Sequence, residues 1–251
     1  APLTIGINPV TKIYDGTLTV KEATPVDVTV ATPSVVCPAG VACTRYGDSF
    51  IAGTGTFTYT DKNVAYTNNG AAVADTKEVT VSGVQVNDGN NGNNYIRDKN
   101  GNYSYSSNTQ STIKQAPLDI ATNIVEKIYD GTRKAPQNAK VSTVSPLYGG
   151  ELTRADIEFT DPDAGRKKDL RVSNVKVTDL LTGKDESKNF DLKPEYLIPE
   201  KGVIKQEQLM VSTADVKKIY DGTLTANEAN GAKPILVSGH LYTNEKTKET
   251  A

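Results

Sequence analysis

The chain has 251 residues, with 28 basic and 30 acidic side chains and a formal net charge of −2, so it offers no large basic face for DNA or RNA. Twelve tyrosines against four phenylalanines and no tryptophan, together with many threonines, valines, glycines and asparagines, predict a mainly β protein. No stretch approaches the roughly 20 apolar residues that a membrane-spanning helix needs, which predicts no membrane insertion.

One hexapeptide, Lys-Ile-Tyr-Asp-Gly-Thr, occurs three times, at 12–17, 127–132 and 218–223. A leucine stands 11 residues before each tyrosine (14−3, 129−118 and 220−209). The pattern predicts three repeats: a first at 1–114, a second at 115–205 and an incomplete third at 206–251. The predicted structural motif residues are Tyr14, Asp15, Gly16, Tyr129, Asp130, Gly131, Tyr220, Asp221 and Gly222. Because Asp-Gly is a strong hairpin signal, we expect a tight hairpin turn at each copy.

The first interval between motif tyrosines is longer than the second, 115 residues (129−14) against 91 (220−129). Two landmarks of the first repeat, Tyr59 and Val81, correspond to Phe159 and Val172 of the second. These landmarks place the extra residues of the first repeat in two segments, one before Tyr59 and one between Tyr59 and Val81. We interpret both excesses as surface loop insertions, because closure entropy grows slowly with loop length.

The first insertion follows an alternating strand pattern at 26–30 and contains Cys37 and Cys43. Pro38 and Gly40 between them favour a turn, and no histidine or acidic cluster accompanies them as metal ligands. A small disulfide-closed loop is therefore preferred over two free thiols, which favours an oxidising, extracellular location.

Valines 79, 81, 84 and 86 form two short alternating runs. The runs are offset by Ser82 and Gly83, so we expect a bulge or kink there. Asn174 takes the same place in the second repeat and tolerates a left-handed backbone. A short segment at 151–156 is the best candidate for a helix, or for a turn.

An asparagine-rich loop at 87–94 is followed by Asp98, Asn100 and Asn102, whose alternating oxygens resemble the start of a calcium loop. The glycine falls one place too early and no bidentate glutamate follows, so ordinary turn chemistry is preferred and no metal is predicted. Tyr95, Tyr103 and Tyr105 in the same region form a candidate ligand loop, because asparagine, aspartate and tyrosine side chains bond and stack on sugars.

Catalytic and cofactor motifs are missing from the sequence. The one histidine, His240, has no second imidazole for a metal and no nucleophile beside it in sequence. There is no phosphate-binding glycine loop and no nucleophile elbow. We therefore predict no enzyme, no catalytic residue and no cofactor. Spontaneous isopeptide cross-links stay open, because sequence alone does not show which lysine would meet an asparagine and an acid.

The order of landmarks resembles the YDG-motif repeat of filamentous-haemagglutinin-type bacterial surface adhesins, which are exported by two-partner secretion. The resemblance covers nearly the whole chain. It departs from the family in the two insertions and at Pro162-Asp163, where the family often has Lys-Asn. The segments that carry it are the hexapeptides, 46–48 and 148–150, 59–63 and 159–165, the Val-Ser-x-Val strands, 94–95 and 189–190, and Ile-Lys-Gln at 113–115 and 204–206.

This resemblance implies tandem small β-rich modules, β-grasp-like or sandwich-like, in an elongated array on the bacterial cell surface. The expected function is a structural stalk in cell adhesion and biofilm cohesion, with a host-surface or matrix glycan or protein, or neighbouring copies of the chain, as partners. The alternative is a carbohydrate- or receptor-binding module that uses the inserted loops of the first repeat.

Overall fold

A computed structural model of the chain describes residues 3–20, 33–35, 48–51, 54–67, 71–74, 76–227 and 231–248. It confirms the predicted mainly β fold. No helix in these ranges is long and apolar enough to cross a membrane.

The strands are β1 (Thr4–Ile7), β2 (Thr11–Ile13), β3 (Pro33–Val35), β4 (Ser49–Phe50), β5 (Thr56–Tyr59), β6 (Lys77–Ser82), β7 (Val86–Asn87), β8 (Ser104–Tyr105), β9 (Asn108–Lys114), β10 (Ala116–Pro117), β11 (Ile120–Thr122), β12 (Val125–Ile128), β13 (Val141–Thr143), β14 (Gly150–Phe159), β15 (Gly165–Asp179), β16 (Phe190–Asp191), β17 (Glu195–Lys205), β18 (Met210–Thr213) and β19 (Pro234–Ser238).

Helical structure in the described residues is confined to a 3-10 turn at Ser187–Asn189 and a four-residue helix, α1 (Glu245–Lys248). The expected short helix at 151–156 is wrong, because this segment lies inside β14. Six residues could supply little intrahelical hydrogen bonding, whereas β14 gains a ladder beside β15.

Repeats one and two contain the same four-stranded sheet. The order is β2-β9-β6-β5 in the first and β12-β17-β15-β14 in the second. In both, the strand that carries the motif lysine lies at an edge and pairs in parallel with the last strand of its repeat. That last strand runs antiparallel to its other neighbour. The two sheets support the internal correspondence read from the sequence.

Each of the three repeats also contains a pair of short strands that lies before its motif in the chain or on both sides of it. These are β1 with β3, β11 with β13, and β18 with β19, and all are antiparallel. The further short pairs are β1 with β8 and β10 with β16, which are parallel, and β4 with β7, which is antiparallel. The described part of repeat three therefore contains its hairpin and its motif, but no four-stranded sheet.

The predicted kink after Val81 is present. β6 ends at Ser82, Gly83 has a φ of +69°, and β7 begins at Val86. Asn174 takes a φ of +52° at the matching place in β15. In repeat one the kink returns both pairs of valines to the interior, since all four are at most 6% exposed.

The interior of repeat two is a cluster of seven buried residues drawn from every strand of its sheet. Burying one such side chain contributes roughly 1.5–3 kcal/mol, so this cluster is the main stabilising element of the repeat. Its members are Val125, Phe159, Leu170, Val172, Tyr196, Ile198 and Ile204. The fully buried large side chains of repeat one include Ile5, Val10, Tyr14, Tyr59, Val79 and Ile113.

The chain divides into two compact units that do not follow the sequence repeats. The first contains Ala1–Leu118, Pro146–Glu151 and Val177–Leu192, and the second contains Asp119–Ser145, Leu152–Lys176 and Lys193–Ala251. Three segments of the second sequence repeat, 115–118, Pro146–Glu151 and Val177–Leu192, thus belong to the first unit, and the third repeat belongs to the second unit.

Candidate functional site

The three copies of the hexapeptide fold into one and the same structure, which we call the lysine-bound turn (residues 12–19, 127–134 and 218–225). In the first, the Lys12 ammonium donates to the Asp15 carboxylate at 2.7 Å and to the Thr17 carbonyl at 2.6 Å. It also lies 3.4 Å from the Thr17 hydroxyl and 3.3 Å from the Thr19 carbonyl. One cation therefore closes a loop of eight residues.

The other two copies repeat these four contacts. Lys127 makes them at 2.6, 2.7, 3.1 and 3.0 Å, and Lys218 makes them at 2.7, 2.8, 2.9 and 2.9 Å. In every copy the aspartate also accepts hydrogen bonds from the backbone N–H and the hydroxyl of the threonine two residues later. The turn is thus a property of the hexapeptide itself.

The lysine-bound turn is not a hairpin, so that part of the prediction is wrong. The strand before the first turn, β2, pairs with β9, whereas the residues after it bond to β5 through Tyr59 N–H to Leu18 O at 2.8 Å. The second turn does the same with β17 and β14. The first two turns therefore each join the two edges of a curled sheet, and contacts from the lysine replace the cross-strand hydrogen bonds of a hairpin.

The aspartate of each turn is held as a carboxylate. Burial raises the pKa of Asp15 and of Asp130, but hydrogen bonds from the lysine and the threonine outweigh it, so both pKa values lie below the ordinary one. The hydrogen bond from Lys218 lowers the pKa of Asp221 in the same direction. A charged pair is therefore present in all three turns at neutral pH.

An aromatic ring lies beneath the lysine in each complete repeat. The Lys12 ammonium is 5.4 Å from the centre of the Tyr59 ring, and the Lys127 ammonium is 5.4 Å from that of Phe159. Such a cation–π contact stabilises a desolvated ammonium. The Tyr59 hydroxyl also lies 3.0 Å from the Val10 carbonyl, and burial raises its pKa.

A second lysine and aspartate pair also recurs in each sheet. Lys77 donates to Asp61, and Lys168 donates to Asp161 at 2.7 Å. Both lysine side chains are 10% exposed, whereas their aspartates are about half exposed. The sequence reading missed this pair, although the aspartates stood in the landmark segments 59–61 and 159–161.

The motif tyrosine of repeat one is buried against a segment of repeat two that belongs to the same compact unit. Tyr14 is 2% exposed, and its ring packs edge-on against Tyr148 at 5.8 Å and Phe190 at 5.5 Å between ring centres. Its hydroxyl donates to Glu186 at 3.1 Å. Burial and the neighbouring Glu186 carboxylate raise the pKa of Tyr14.

Asn189 extends this contact. It is 4% exposed, accepts a hydrogen bond from the Val64 N–H at 2.9 Å and donates to Asn63 and Glu186. Lys62 lies 3.6 Å from Glu186. The sequence reading used Asn189 as a landmark without a role, because nothing local indicates that it bonds 126 positions away.

The motif tyrosine of repeat two has a matching partner from repeat three, within the second compact unit. The rings of Tyr129 and Tyr242 pack edge-on at 6.1 Å. Tyr148 and Tyr242 both follow a leucine, in Leu147-Tyr148 and Leu241-Tyr242. This shared Leu-Tyr pair is the signal that could have identified Tyr242 from the sequence.

The motif glycines also show that the first two turns are covered in the same way. All three have φ between +73° and +77°. A methyl group at Gly16 would lie 2.9 Å from the Tyr148 carbonyl oxygen, and one at Gly131 would lie 2.6 Å from the Thr243 carbonyl oxygen. At Gly222 a methyl group would meet no atom of the described residues within 4 Å. The first two turns are therefore covered by a Leu-Tyr loop, and the third is open.

The candidate ligand loop is largely engaged in internal contacts. Tyr103 is 5% exposed, with the Arg97 guanidinium 4.8 Å from its ring centre and bonded to its hydroxyl at 2.7 Å. Tyr95 donates to Asp48 at 2.5 Å, which raises the pKa of Tyr95 to about 12. Tyr105 lies in β8, paired with β1.

The segment weighed as a calcium loop is a turn closed by one aspartate. The Asp98 carboxylate accepts the backbone N–H groups of Asn100 and Asn102, both at 2.8 Å. No group of three metal-ligating side chains lies together in the ranges that the structure describes. The ring of His240 is largely exposed, 3.8 Å from Glu207. The predicted disulfide of Cys37 and Cys43 and the strand at 26–30 lie outside the described residues.

Searches with this chain against protein-family models, curated proteins and solved structures returned no match.

Proposed function

We propose that this chain is a structural repeat region of a secreted bacterial cell-surface adhesin, and that it holds a binding part away from the cell without catalysing a reaction. The observation that carries the proposal is the threefold lysine-bound turn. An enzyme needs a set of different reactive groups in a cleft, whereas here the same lysine and aspartate pair recurs three times with the same partners. A repeated stabilising element is typical of a protein that holds other parts at a fixed distance.

The contacts of Tyr14 and Tyr129 add a second argument. Each motif tyrosine is covered by residues that the sequence assigns to the following repeat, at Tyr148 and at Tyr242. A contact of this kind fixes successive repeats to one another, because aromatic pairs are worth roughly 0.5–1.5 kcal/mol beyond their burial. A stalk requires such fixed junctions, and a set of independent binding modules does not.

The proposed location is the extracellular surface, and the proposed partners are a host or matrix glycan or protein, or neighbouring copies of the chain. The alternative role as a carbohydrate-binding module receives less support. Tyr103 is enclosed by Arg97 and the backbone of Gly92, so its ring presents no free face for a sugar.

Domain replacement in the parent adhesin tests the proposal. Deleting these repeats should reduce attachment of the bacterium, because the binding part then lies closer to the cell. Replacing them with unrelated β repeats of the same total length should restore attachment. Failure of the replacement, with the adhesin displayed at equal density, would show that the repeats themselves bind the receptor and would overturn the stalk assignment.

A further inference from the structure

The third lysine-bound turn is complete in itself but exposed where the other two are covered. Ile219 is 91% exposed, Tyr220 92% and Leu224 105%, whereas Ile13, Tyr14 and Leu18 at the same places of the first turn are 37%, 2% and 42% exposed. All three apolar side chains of the third turn are therefore in solvent, and its tyrosine lacks the cover that Tyr14 and Tyr129 have in the other two.

The segment that leads into the third turn, residues 216–220, is open in the same way, although it forms no strand. In repeat one the Tyr14 N–H donates to the Lys114 carbonyl of β9, and in repeat two the Tyr129 N–H donates to the Lys205 carbonyl of β17, both at 2.8 Å. Both partners are the lysine of an Ile-Lys pair at the end of the last strand. For Tyr220, no residue in the described ranges takes this place.

From these two precedents we propose that residues 216–220 are a strand-accepting edge, which binds an extended Ile-Lys strand of the kind that ends the first two repeats. The strand enters in parallel, with its isoleucine opposite Lys218 and its lysine opposite Ile219. This is the register of β9 with β2 and of β17 with β12. Strand addition at an open edge is a general mode of peptide recognition, in which main-chain bonds give affinity and alternate side chains give specificity.

The chemistry of the strand follows from the occupied sites. Ile113 and Ile204 are 1% and 2% exposed, so the isoleucine must enter an apolar interior. Gly202 precedes Ile204 by two positions, and a methyl group there would lie 2.7 Å from the Phe159 ring. The accepted segment is therefore a strand whose inward positions carry a small residue and then isoleucine. The assignment rests on strand geometry and is independent of the proposed role in attachment.

Hydrogen exchange with a synthetic peptide tests the assignment. The probe is a capped peptide that copies residues 195–206, added at 1 mM to the full chain, with exchange followed by mass spectrometry and fragmentation. We expect the amides of Lys218 and Tyr220 to exchange at least ~10-fold more slowly with the peptide, because N–H groups in a ladder are protected. The matching amides of Lys12 and Tyr14 serve as the internal control and should not change.

A second peptide, with aspartate in place of the isoleucine that copies Ile204, should give no protection. Three results would overturn the assignment: unchanged exchange at Tyr220, equal protection by both peptides, or protection confined to the other exposed strand, Pro234–Ser238. Loss of the proposed stalk function in the replacement experiment would leave these outcomes unaffected, so the two proposals fail separately.

Discussion

At the residue scale, each lysine-bound turn depends on the ammonium group of its lysine. Replacing Lys127 by methionine keeps most of the apolar part of the side chain but leaves Asp130 and two carbonyl oxygens without their cation. We expect K127M to lower the free energy of unfolding by about 1–3 kcal/mol, because the Lys127 side chain is 6% exposed while Asp130, at 42%, is partly screened by solvent. Urea denaturation of the full chain measures the change.

Lys218 provides the matched control for this substitution. It makes the same four contacts, but its side chain is 20% exposed against 6% for Lys127, and residues 218–225 pair with no strand that the structure describes. K218M should therefore cost less than about 1 kcal/mol, as for exposed ion pairs. Equal losses in the two variants would mean that the local turn, and not its burial, determines the energy.

Tyr59 leads to a prediction about alkaline pH. Burial raises its pKa above the ordinary value of 10, so above pH 10 the folded state holds a proton that the unfolded state has lost. Stability present below pH 10 is then lost as the pH rises, by up to about 1.4 kcal/mol per pH unit. Unfolding of the first unit between pH 9 and 11, followed by hydrogen exchange in β6, measures this slope.

Phe159 stands at the place of Tyr59 in repeat two and offers a natural comparison. Y59F should flatten the alkaline slope of the first unit toward that of the second, although Tyr14, whose pKa is also raised, keeps part of it. A slope that is unchanged in Y59F would show that the tyrosine does not cause the loss.

At the scale of elements, substitutions of the motif glycines distinguish the stability that the turn contributes from the stability that the covering loop contributes. G222A places a methyl group at a φ of +75° in open space, so it costs only backbone strain, roughly 1 kcal/mol. G131A adds a methyl group 2.6 Å from the Thr243 carbonyl and 3.0 Å from Tyr242 Cβ. This variant must therefore also displace the Leu-Tyr loop.

We expect G131A to be at least about 2 kcal/mol more destabilising than G222A, because overpacking typically costs 1–3 kcal/mol. The accompanying signal is faster amide exchange at Tyr242 in G131A. Similar stability losses in both variants, with Tyr242 exchange unchanged, would mean that the loop contributes little to covering this turn.

The sequence predicted the parts of these elements that depend on local residues, and missed those that depend on distant ones. Alternating valines indicated the strands around residue 81, and Gly83 and Asn174 marked the kink correctly. Asp-Gly indicated a turn but not its partner, because a lysine three residues before the aspartate replaces the hairpin ladder. The contact of Tyr14 with Glu186 spans 172 positions, and no periodicity reports such a distance.

At the scale of the whole molecule, the division into compact units differs from the division into repeats. The first unit takes Pro146–Glu151 and Val177–Leu192 from the second sequence repeat. These segments supply Tyr148 and Phe190 against Tyr14, and Asn189 against Val64. A repeat excised at its sequence boundary therefore lacks part of its own packing.

This interleaving predicts the behaviour of truncated chains. A fragment of residues 1–114 exposes the Tyr14 ring and leaves the Val64 N–H without its acceptor, whereas a fragment of residues 1–205 keeps both contacts. Lost burial, two aromatic pairs and one hydrogen bond together amount to at least about 3 kcal/mol. Hydrogen exchange at the β6 amides of Val79 and Val81 should then be more than ~100-fold faster in the shorter fragment. Equal exchange in both fragments would mean that the first repeat is complete at its sequence boundary. The variant Y148A in the full chain should reproduce part of the increase, and it separates the contribution of the aromatic contact from that of the other lost contacts.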